Sequence, residues 1–323
     1  MHIISEDVAA TAVTVADVIP LMEQAFQSLE SGSVELLPVV IGKGFDENSV
    51  YGVKGGLVRD LRVYGFKFGS YMPSNPAKGL KGHGSTTVLL DPDTGFPMAM
   101  IGAKTLSAIR AAALDAIAIR RLARRDARTL AVIGAGNQAM WEVEAALASR
   151  SIELILIANR SMDKAIAFAA EMSQRHGVSA IAVSHERAVS SADIVITATA
   201  SPIPVVETGW VRPGTHISAM GADIDGKQEL QATLVKSATL YTDIIEQSVT
   251  IGEYQEAFER GVIKRSDITP IGTIIDRDFA RVSDQEITLF ESSGTALQDL
   301  VVAQVVLDAA IAKGLTIEID VDV

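Results

Sequence analysis

Six residues, Gly134-Ala135-Gly136-Asn137-Gln138-Ala139, have the types and spacing to cradle a pyrophosphate. They follow an apolar run, 130–133, and precede a segment of helical periodicity. Gly134 permits a tight turn out of a strand, Gly136 lets the backbone approach a phosphate, and Ala139 lets helix and strand pack closely. Free N–H groups at a helix start, together with the helix dipole, favour the anion's charge. A second apolar run, 154–158, ends on Asn159-Arg160-Ser161. Strand, glycine turn, helix and strand in this order form the first βαβ unit of a dinucleotide-binding domain, the context that a bare GxGxxA lacks. Gly134, Ala135, Gly136, Asn137 and Gln138 are therefore expected to contact a dinucleotide; a structural glycine turn in another α/β domain is the plainer alternative.

The end of the second strand bears on which dinucleotide binds. NAD-binding versions usually place an Asp or Glu there for the ribose hydroxyls, whereas a nearby Arg accommodates a 2′-phosphate. Here the residues are Asn159, Arg160 and Ser161, with no carboxylate. Arg160 is suited to stack on adenine and pair with the phosphate, and Ser161 to donate a hydrogen bond to it. NADP(H) is favoured and NAD(H) is the alternative, in which Arg160 is a solvated turn residue.

Hydride transfer to or from an amino or imino acid needs cations for the carboxylate, a group that moves a proton at nitrogen, and exclusion of water. Lys67 alternates away from Phe66 and Phe68 in an aromatic strand; an exposed lysine on a half-buried strand is its plain reading. Arg110 lies among small residues, Ala108-Ile109-Arg110-Ala111-Ala112-Ala113, where tight packing would enclose it and demand an anionic partner. Asp223 and Lys227 lie in the segment after the apolar run 216–219, which begins Met220-Gly221-Ala222-Asp223. Loops at the carboxyl ends of strands line the crevice of a doubly wound sheet, so Asp223 is placed to act at a substrate nitrogen, with turn or capping roles for Asp223 and Asp225 as the alternative. Thr197, Ala198 and Thr199 end the fourth strand of this domain and suit backbone close to a nicotinamide or ribose, as does Met220. His83, in Lys81-Gly82-His83-Gly84-Ser85, is a further proton donor or a structural loop histidine.

The elements that must position these residues are legible in outline. Residues 15–30 have amphipathic helical spacing. Short apolar or alternating runs at 36–41, 50–53, 63–68, 85–90 and 97–101, separated by Gly, Pro and Asp turns, predict a mainly antiparallel sheet, with Asp91-Pro92-Asp93-Thr94-Gly95 as a hairpin turn. An Ala-rich helix over 105–123 leads into the cofactor strand. Strands at 129–133, 154–158, 180–183, 193–197, 215–219 and 239–242 alternate with helical segments, as in a doubly wound parallel sheet. The last helix, 295–312, is too apolar for one solvent face and is expected to pack back on the first domain. The fold class is therefore α/β, with a Rossmann domain at 126–294 and a discontinuous α+β domain at 1–125 completed by 295–323.

Composition narrows the function classes. The 323 residues are 48% hydrophobic and 21% charged, ordinary for two globular domains. A net charge of −12 argues against nucleic acid or an anionic membrane as partner. The absence of cysteine excludes disulfides, thiolate metal sites and cysteine nucleophiles. The five histidines are far apart, so no metal site is expected. No signal peptide or long apolar span is visible, which makes the cytoplasm the expected location.

Together these segments resemble the ornithine cyclodeaminase/μ-crystallin family over nearly the whole chain. The resemblance rests on Lys67 with the downstream LLDPDTGFPMAMI, the helix KTLSAIRAAALDAIAIRRLA, the turn VIGAGNQA, the segment AMGADIDGKQEL, and SSGTALQDLVVA. It implies a homodimer whose substrate domains join their sheets, with a Rossmann domain on each flank. It also implies that Lys67 and Arg110 grip a substrate carboxylate, that Asp223 handles the proton at the reacting nitrogen, and that Lys227 orients it. The Asn159-Arg160-Ser161 sequence resembles NADPH-binding members, μ-crystallin-type ketimine reductases among them. True ornithine cyclodeaminases carry a further carboxylate-binding Arg in a P-x-R pattern; Leu37-Pro38-Val39-Val40-Ile41 has none. The stretches YGVKGG, GHGSTTVLLDPDTG, GADIDGKQEL and TDIIEQSVTIGE resemble the branch containing iminosuccinate reductase. The expected activity is NAD(P)H-dependent reduction of a small 2-imino acid, or the reverse amino-acid dehydrogenation. Ornithine or lysine cyclodeamination and a non-catalytic, crystallin-like NADP(H)-binding role are the alternatives, and Lys67, Arg110 and Asp223 occurring together argue against the last.

Overall fold

A computed structural model describes residues 1–46 and 48–320. By contacts it divides into two units: Met1–Arg110 with the segment from Thr295 onward, and Ala111–Gly294. The division falls inside the helix Lys104–Leu122 rather than near residue 126. That helix has no linker composition to mark a boundary; Ala112, Ala113, Leu114, Ala116 and Ile117 are all fully buried. Its start is fixed by Glu6, whose carboxylate accepts from the N–H groups of Lys104 (2.9 Å) and Thr105 (2.7 Å), satisfying donors that the helix itself cannot.

The first unit is built on one sheet. Its strands are β1 (His2–Ile4), β2 (Val34–Leu36), β3 (Val40–Lys43), β4 (Val50–Val58), β5 (Val63–Tyr71), β6 (His83–Leu90), β7 (Pro97–Gly102) and, from the C-terminal segment, β16 (Ile317–Glu318). The order is β16-β1-β7-β6-β5-β4-β2, with β3 also on β4; every pair is antiparallel except β1 with β7. The mainly antiparallel sheet expected from 34–100 is present, and β1 and β16 extend it beyond what the sequence patterning suggested. Asp91 shapes the β6–β7 hairpin by accepting from the N–H groups of Asp93 and Thr94, and Gly95 takes φ +79°.

The helix Val15–Glu30 starts at a capping box between Thr14 and Asp17 and buries Val18, Ile19, Met22 and Phe26. Each such side chain contributes about 1.5–3 kcal/mol on burial. The final helix, Ala296–Ala312, lies against it and against β4, β5 and β6. This is why the helix is apolar nearly all round, and it makes the first unit discontinuous in sequence.

The second unit is a parallel sheet of eight strands: β8 (Thr129–Ile133), β9 (Leu154–Ala158), β10 (Ser179–Ala182), β11 (Ile194–Thr197), β12 (His216–Ala219), β13 (Thr239–Thr242), β14 (Ile268–Pro270) and β15 (Thr288–Glu291). Their order is β10-β9-β8-β11-β12-β15-β13-β14. Six of them lie within one residue of the sequence-based positions. The other two, β14 and β15, have no counterpart there, although β15 sits between β12 and β13. It is four residues long and buried throughout, so it lacks the alternation that marks a half-exposed strand. The chain runs outward from β8 through β9 to β10 and then returns to the other side of β8 as β11. This reversal creates a topological switch point between β8 and β11. Among the described residues no single helix is long and apolar enough to cross a membrane.

Candidate active site

In the second unit, the expected cofactor residues lie at the carboxyl ends of adjacent parallel strands. Gly134, which follows β8, has φ +128°, and a Cβ there would stand 2.6 Å from the Ala198 carbonyl oxygen. Only glycine permits both the turn and this approach of the β8 and β11 ends. Gly136 is different: a Cβ there would meet nothing within 4 Å. It is the N-cap of the helix Asn137–Ser149 and offers no side-chain cap, so the first-turn N–H groups suit an anion. Open space above an uncapped helix start at a switch point fits a dinucleotide pyrophosphate. Gln138 donates to Glu142 one turn on, an anchor that the sequence reading missed.

At the end of β9, Asn159 Nδ2 donates to the Ser161 carbonyl oxygen at 3.1 Å, and Ser161 Oγ caps the next helix by accepting from the Lys164 N–H at 3.4 Å. Ser161 thus has a structural role, and its hydroxyl hydrogen is still a donor. Arg160 is exposed between them.

Asp223 and Lys227 follow β12. Lys227 Nζ stands 2.5 Å from Asp223 Oδ1, with the aspartate side chain 54% exposed. An exposed pair of this kind stabilises by only about 0–1 kcal/mol, so its consequence is orientation of the carboxyl. The loop is held by Gln255, which accepts from the Gly226 N–H (2.8 Å) and donates to the Lys227 carbonyl (3.0 Å). Met220 is buried at the end of β12. Thr197 and Thr199 do not simply offer backbone; both bond the buried carboxylate of Glu229.

In the first unit, Lys67 and Arg110 are brought together by a residue that the sequence reading did not single out. Lys67 Nζ donates to Asp299 Oδ1 at 2.9 Å and to Ser107 Oγ at 2.7 Å. Arg110 Nε reaches the same Asp299 oxygen at 3.2 Å, and its Nη1 donates to Gln298 Oε1 at 2.6 Å. Ser107 and Arg110 are three apart on one helix and share a face; Gln298 and Asp299 open the final helix. Asp299 is only 2% exposed, and Lys67 and Arg110 are 13% and 12% exposed. Two cations on one carboxylate leave one positive charge in a poorly solvated site, where an anion is strongly attracted.

The electrostatics follow from this enclosure. Burial pushes the Lys67 ammonium down to about 8 against the pull of Asp299, and the charge on Arg110 pushes the same way as burial. Burial also works to raise the Asp299 carboxyl, but Lys67 and Arg110 outweigh it and hold the group below the ordinary carboxylate range. Lys54, opposite Lys67 in the β4–β5 ladder, adds positive field to both. His83 pairs in register with Tyr71, four residues along β5 from Lys67. That is about 13 Å along the sheet at ~3.3 Å per residue, so His83 and Lys67 do not reach one carboxylate. Among the described residues no cluster of three metal-ligating side chains occurs.

Asp299, Gln298, Glu229, Ser107 and Glu142 are among the side chains the sequence reading missed. A carboxylate in an otherwise apolar helix is the signal that could have found Asp299; Glu229, one acid among several in a polar loop, had none.

The comparisons with known proteins agree with this architecture. A model of the ornithine cyclodeaminase/mu-crystallin family matches residues 2–314. The chain is 35% identical over 321 residues to the iminosuccinate reductase of Paracoccus denitrificans (strain Pd 1222), covering 99% of this chain and 100% of that one. The crystal structure of the P. denitrificans iminosuccinate reductase in complex with NAD+ matches with a TM-score of 0.94 over 99% of each chain. Thermococcus litoralis Delta(1)-pyrroline-2-carboxylate reductase in complex with NADH and L-proline matches with a TM-score of 0.94 and 29% identity, over 99% of this chain and 100% of that one. An archaeal alanine dehydrogenase dimer with bound NAD matches with a TM-score of 0.93 and 31% identity over 99% of each chain. With its glycine turn at a switch point and its Lys67–Arg110–Asp299 cluster, the chain belongs to the ornithine cyclodeaminase/mu-crystallin family.

Proposed function

We propose that this protein reduces a small 2-imino acid to the amino acid with a nicotinamide dinucleotide, or runs the reverse dehydrogenation. The observation that carries the reading is the Lys67–Arg110 pair bridged by Asp299, a preorganised carboxylate anchor in a chain that also builds a dinucleotide crevice. The three relatives compared above act on, or hold, imino or amino acids with NAD(H), which supports it.

The second unit, Ala111–Gly294, serves as the cofactor domain, and the first, Met1–Arg110 with the segment from Thr295 onward, as the substrate-binding and dimerisation domain. A reduced dinucleotide held at Gly134, Gly136 and the start of the helix Asn137–Ser149 would supply hydride for the imine carbon. Lys67 and Arg110 hold the α-carboxylate, and enclosure by Asp299, Gln298 and Ser107 fixes their direction. Asp223, directly or through water, relays a solvent proton to the nitrogen as hydride adds to carbon, and takes it back in the reverse direction; Lys227 holds the carboxyl in place. Arg160 and Ser161, at a strand end without a carboxylate, support NADP(H) as the preferred cofactor.

A homodimer is part of the proposal. Tyr51, Val53, Phe66 and Phe68 share one face of β4 and β5, and all are at least one-third exposed. Lys67 points to the opposite face, which the final helix covers. An exposed apolar face on a sheet already covered on its other side suits a second copy.

The test uses purified protein, NADPH or NADH, and imines formed in situ from 2-oxo acids and amines. Net consumption of reduced cofactor with amino-acid formation is expected, and Asp223→Asn should lower turnover at least a hundredfold with cofactor affinity nearly intact. Ammonia release from ornithine without net cofactor change would replace the reading with cyclodeamination.

A further inference from the structure

The loops after β11 and β12 are tied together by one side chain. The Glu229 carboxylate is fully buried and accepts four hydrogen bonds: from Thr197 Oγ1 (2.7 Å), the Thr199 N–H (2.7 Å), Thr199 Oγ1 (2.7 Å) and the Gly221 N–H (2.9 Å). Four donors match the lone-pair capacity of an ionised carboxylate; burial pushes this carboxyl above the ordinary range, and the bonds from Thr197, Thr199 and Gly221 oppose that push. The packing is too close for any other residue at position 221, where a Cβ would lie 2.2 Å from the Thr199 carbonyl oxygen and 2.6 Å from the Glu229 carboxylate.

Glu229 is itself immobilised. Its N–H and that of Leu230 donate to the buried Glu253 carboxylate, and its carbonyl accepts from Val205 and Val206. The bond from Gly221 closes the segment 221–229 on itself, with Asp223 and Lys227 inside the loop. One carboxylate therefore spans the strand end expected to face the nicotinamide and the loop that carries the proton donor.

We propose that Glu229 is a positioning residue that fixes Asp223 relative to the Thr197–Thr199 strand end, so that proton and hydride arrive at one C=N bond in register. This rests on the imine-reductase reading above. Replacing the carboxylate with an amide turns an acceptor into a donor facing donors, so at least one loop must move, while the helix start at Gly136, which nothing from either loop approaches within 4 Å of a Cβ, stays as it is.

The test compares Glu229→Gln, Thr199→Val and the double variant as full-length protein. For Glu229→Gln, kcat should fall at least tenfold while KM for the imine and the NADPH dissociation constant stay within threefold. Amide hydrogen exchange at Thr199 and Gly221 should quicken. Thr199→Val, which removes one donor to Glu229 and the acceptor of the Ser201 N–H, should lower kcat less, and the double variant should lose clearly less than the sum of the two single losses because both weaken the Glu229 interaction. Unchanged kcat in Glu229→Gln, additive losses, or a loss explained wholly by a smaller folded fraction would overturn the proposal. If Glu229→Gln does not fold, Thr199→Val decides: lowered kcat at constant KM supports the role, and unchanged kcat removes it. A wild-type protein that reduces no imine would instead refute the functional reading, and the exchange measurement would still report whether Glu229 ties the two loops.

Discussion

The Lys67 ammonium and the Asp299 carboxylate lie 2.9 Å apart although 232 residues separate them in the chain. The contact joins a central strand of the first unit to the start of its last helix, and Arg110 shares the same carboxylate oxygen. Asp299 therefore both compensates two largely enclosed cations and aims them, which an apolar residue of similar size would not do.

Removing that carboxylate should be costly twice over. Asp299→Asn leaves two enclosed cations without a counter-charge, and breaking a buried pair in this way typically costs about 3–5 kcal/mol. Denaturant unfolding should show a loss of that order, and kcat/KM for the imino acid should fall at least tenfold through misdirected Lys67 and Arg110. Unchanged stability and kinetics would separate Asp299 from the anchor.

The depressed basicity of Lys67 sets a pH limit. Below about 8 its ammonium is charged and able to hold the carboxylate in the proposed role; above that value the charge is lost. KM for the imino acid should accordingly be flat at lower pH and rise as pH climbs through about 8. Lys67→Arg, whose guanidinium stays protonated throughout, should remove that rise. A rise persisting in the arginine variant would assign it to another group.

The two glycines of the cofactor turn should behave differently. Gly134→Ala puts a methyl group 2.6 Å from the Ala198 carbonyl at φ +128°, so the folded state itself should be strongly destabilised. Gly136→Ala meets no protein atom and should change stability by no more than about 0.5 kcal/mol, yet weaken dinucleotide binding at least tenfold. Thermal melts paired with cofactor titration would distinguish them; normal cofactor affinity in Gly136→Ala would move the pyrophosphate elsewhere.

Cofactor preference turns on Arg160. Its replacement by Ala should weaken NADPH at least tenfold and NADH by little, because only the 2′-phosphate loses a charged partner. Titration of both cofactors against the variant reads this directly, and equal losses would make Arg160 a solvated turn residue.

Much of this was legible in the sequence, and what was not has a physical cause. The β8–glycine turn–helix–β9 unit announced itself because its periodicities switch cleanly around Gly134 and Gly136. Lys67 and Arg110 stood out as charges in apolar or small-residue surroundings, and Asp223 by its place in the loop after a parallel strand. Asp299 did not, because its partners come from a strand and a helix distant in sequence, and local pattern carries no information about such pairing. Glu229 looked like one acid among several in a polar loop, and only the fold shows it buried beneath Thr199 and Gly221. β15 escaped because a short strand buried on both faces has no alternation. The helix Lys104–Leu122 gave no sign of the division near Arg110, since a continuous helix carries no turn residues.

The most direct measurement compares two substrates with wild-type protein and reduced cofactor: a 2-imino acid and the same imine lacking its α-carboxylate. Reduced cofactor should be consumed in step with amino-acid formation for the first and at least a hundredfold more slowly for the second, and Lys67→Met should erase most of that difference. Equal rates for the two imines, or no cofactor consumption with either, would contradict the assignment of Lys67, Arg110 and Asp299 as the carboxylate anchor of an imine reductase.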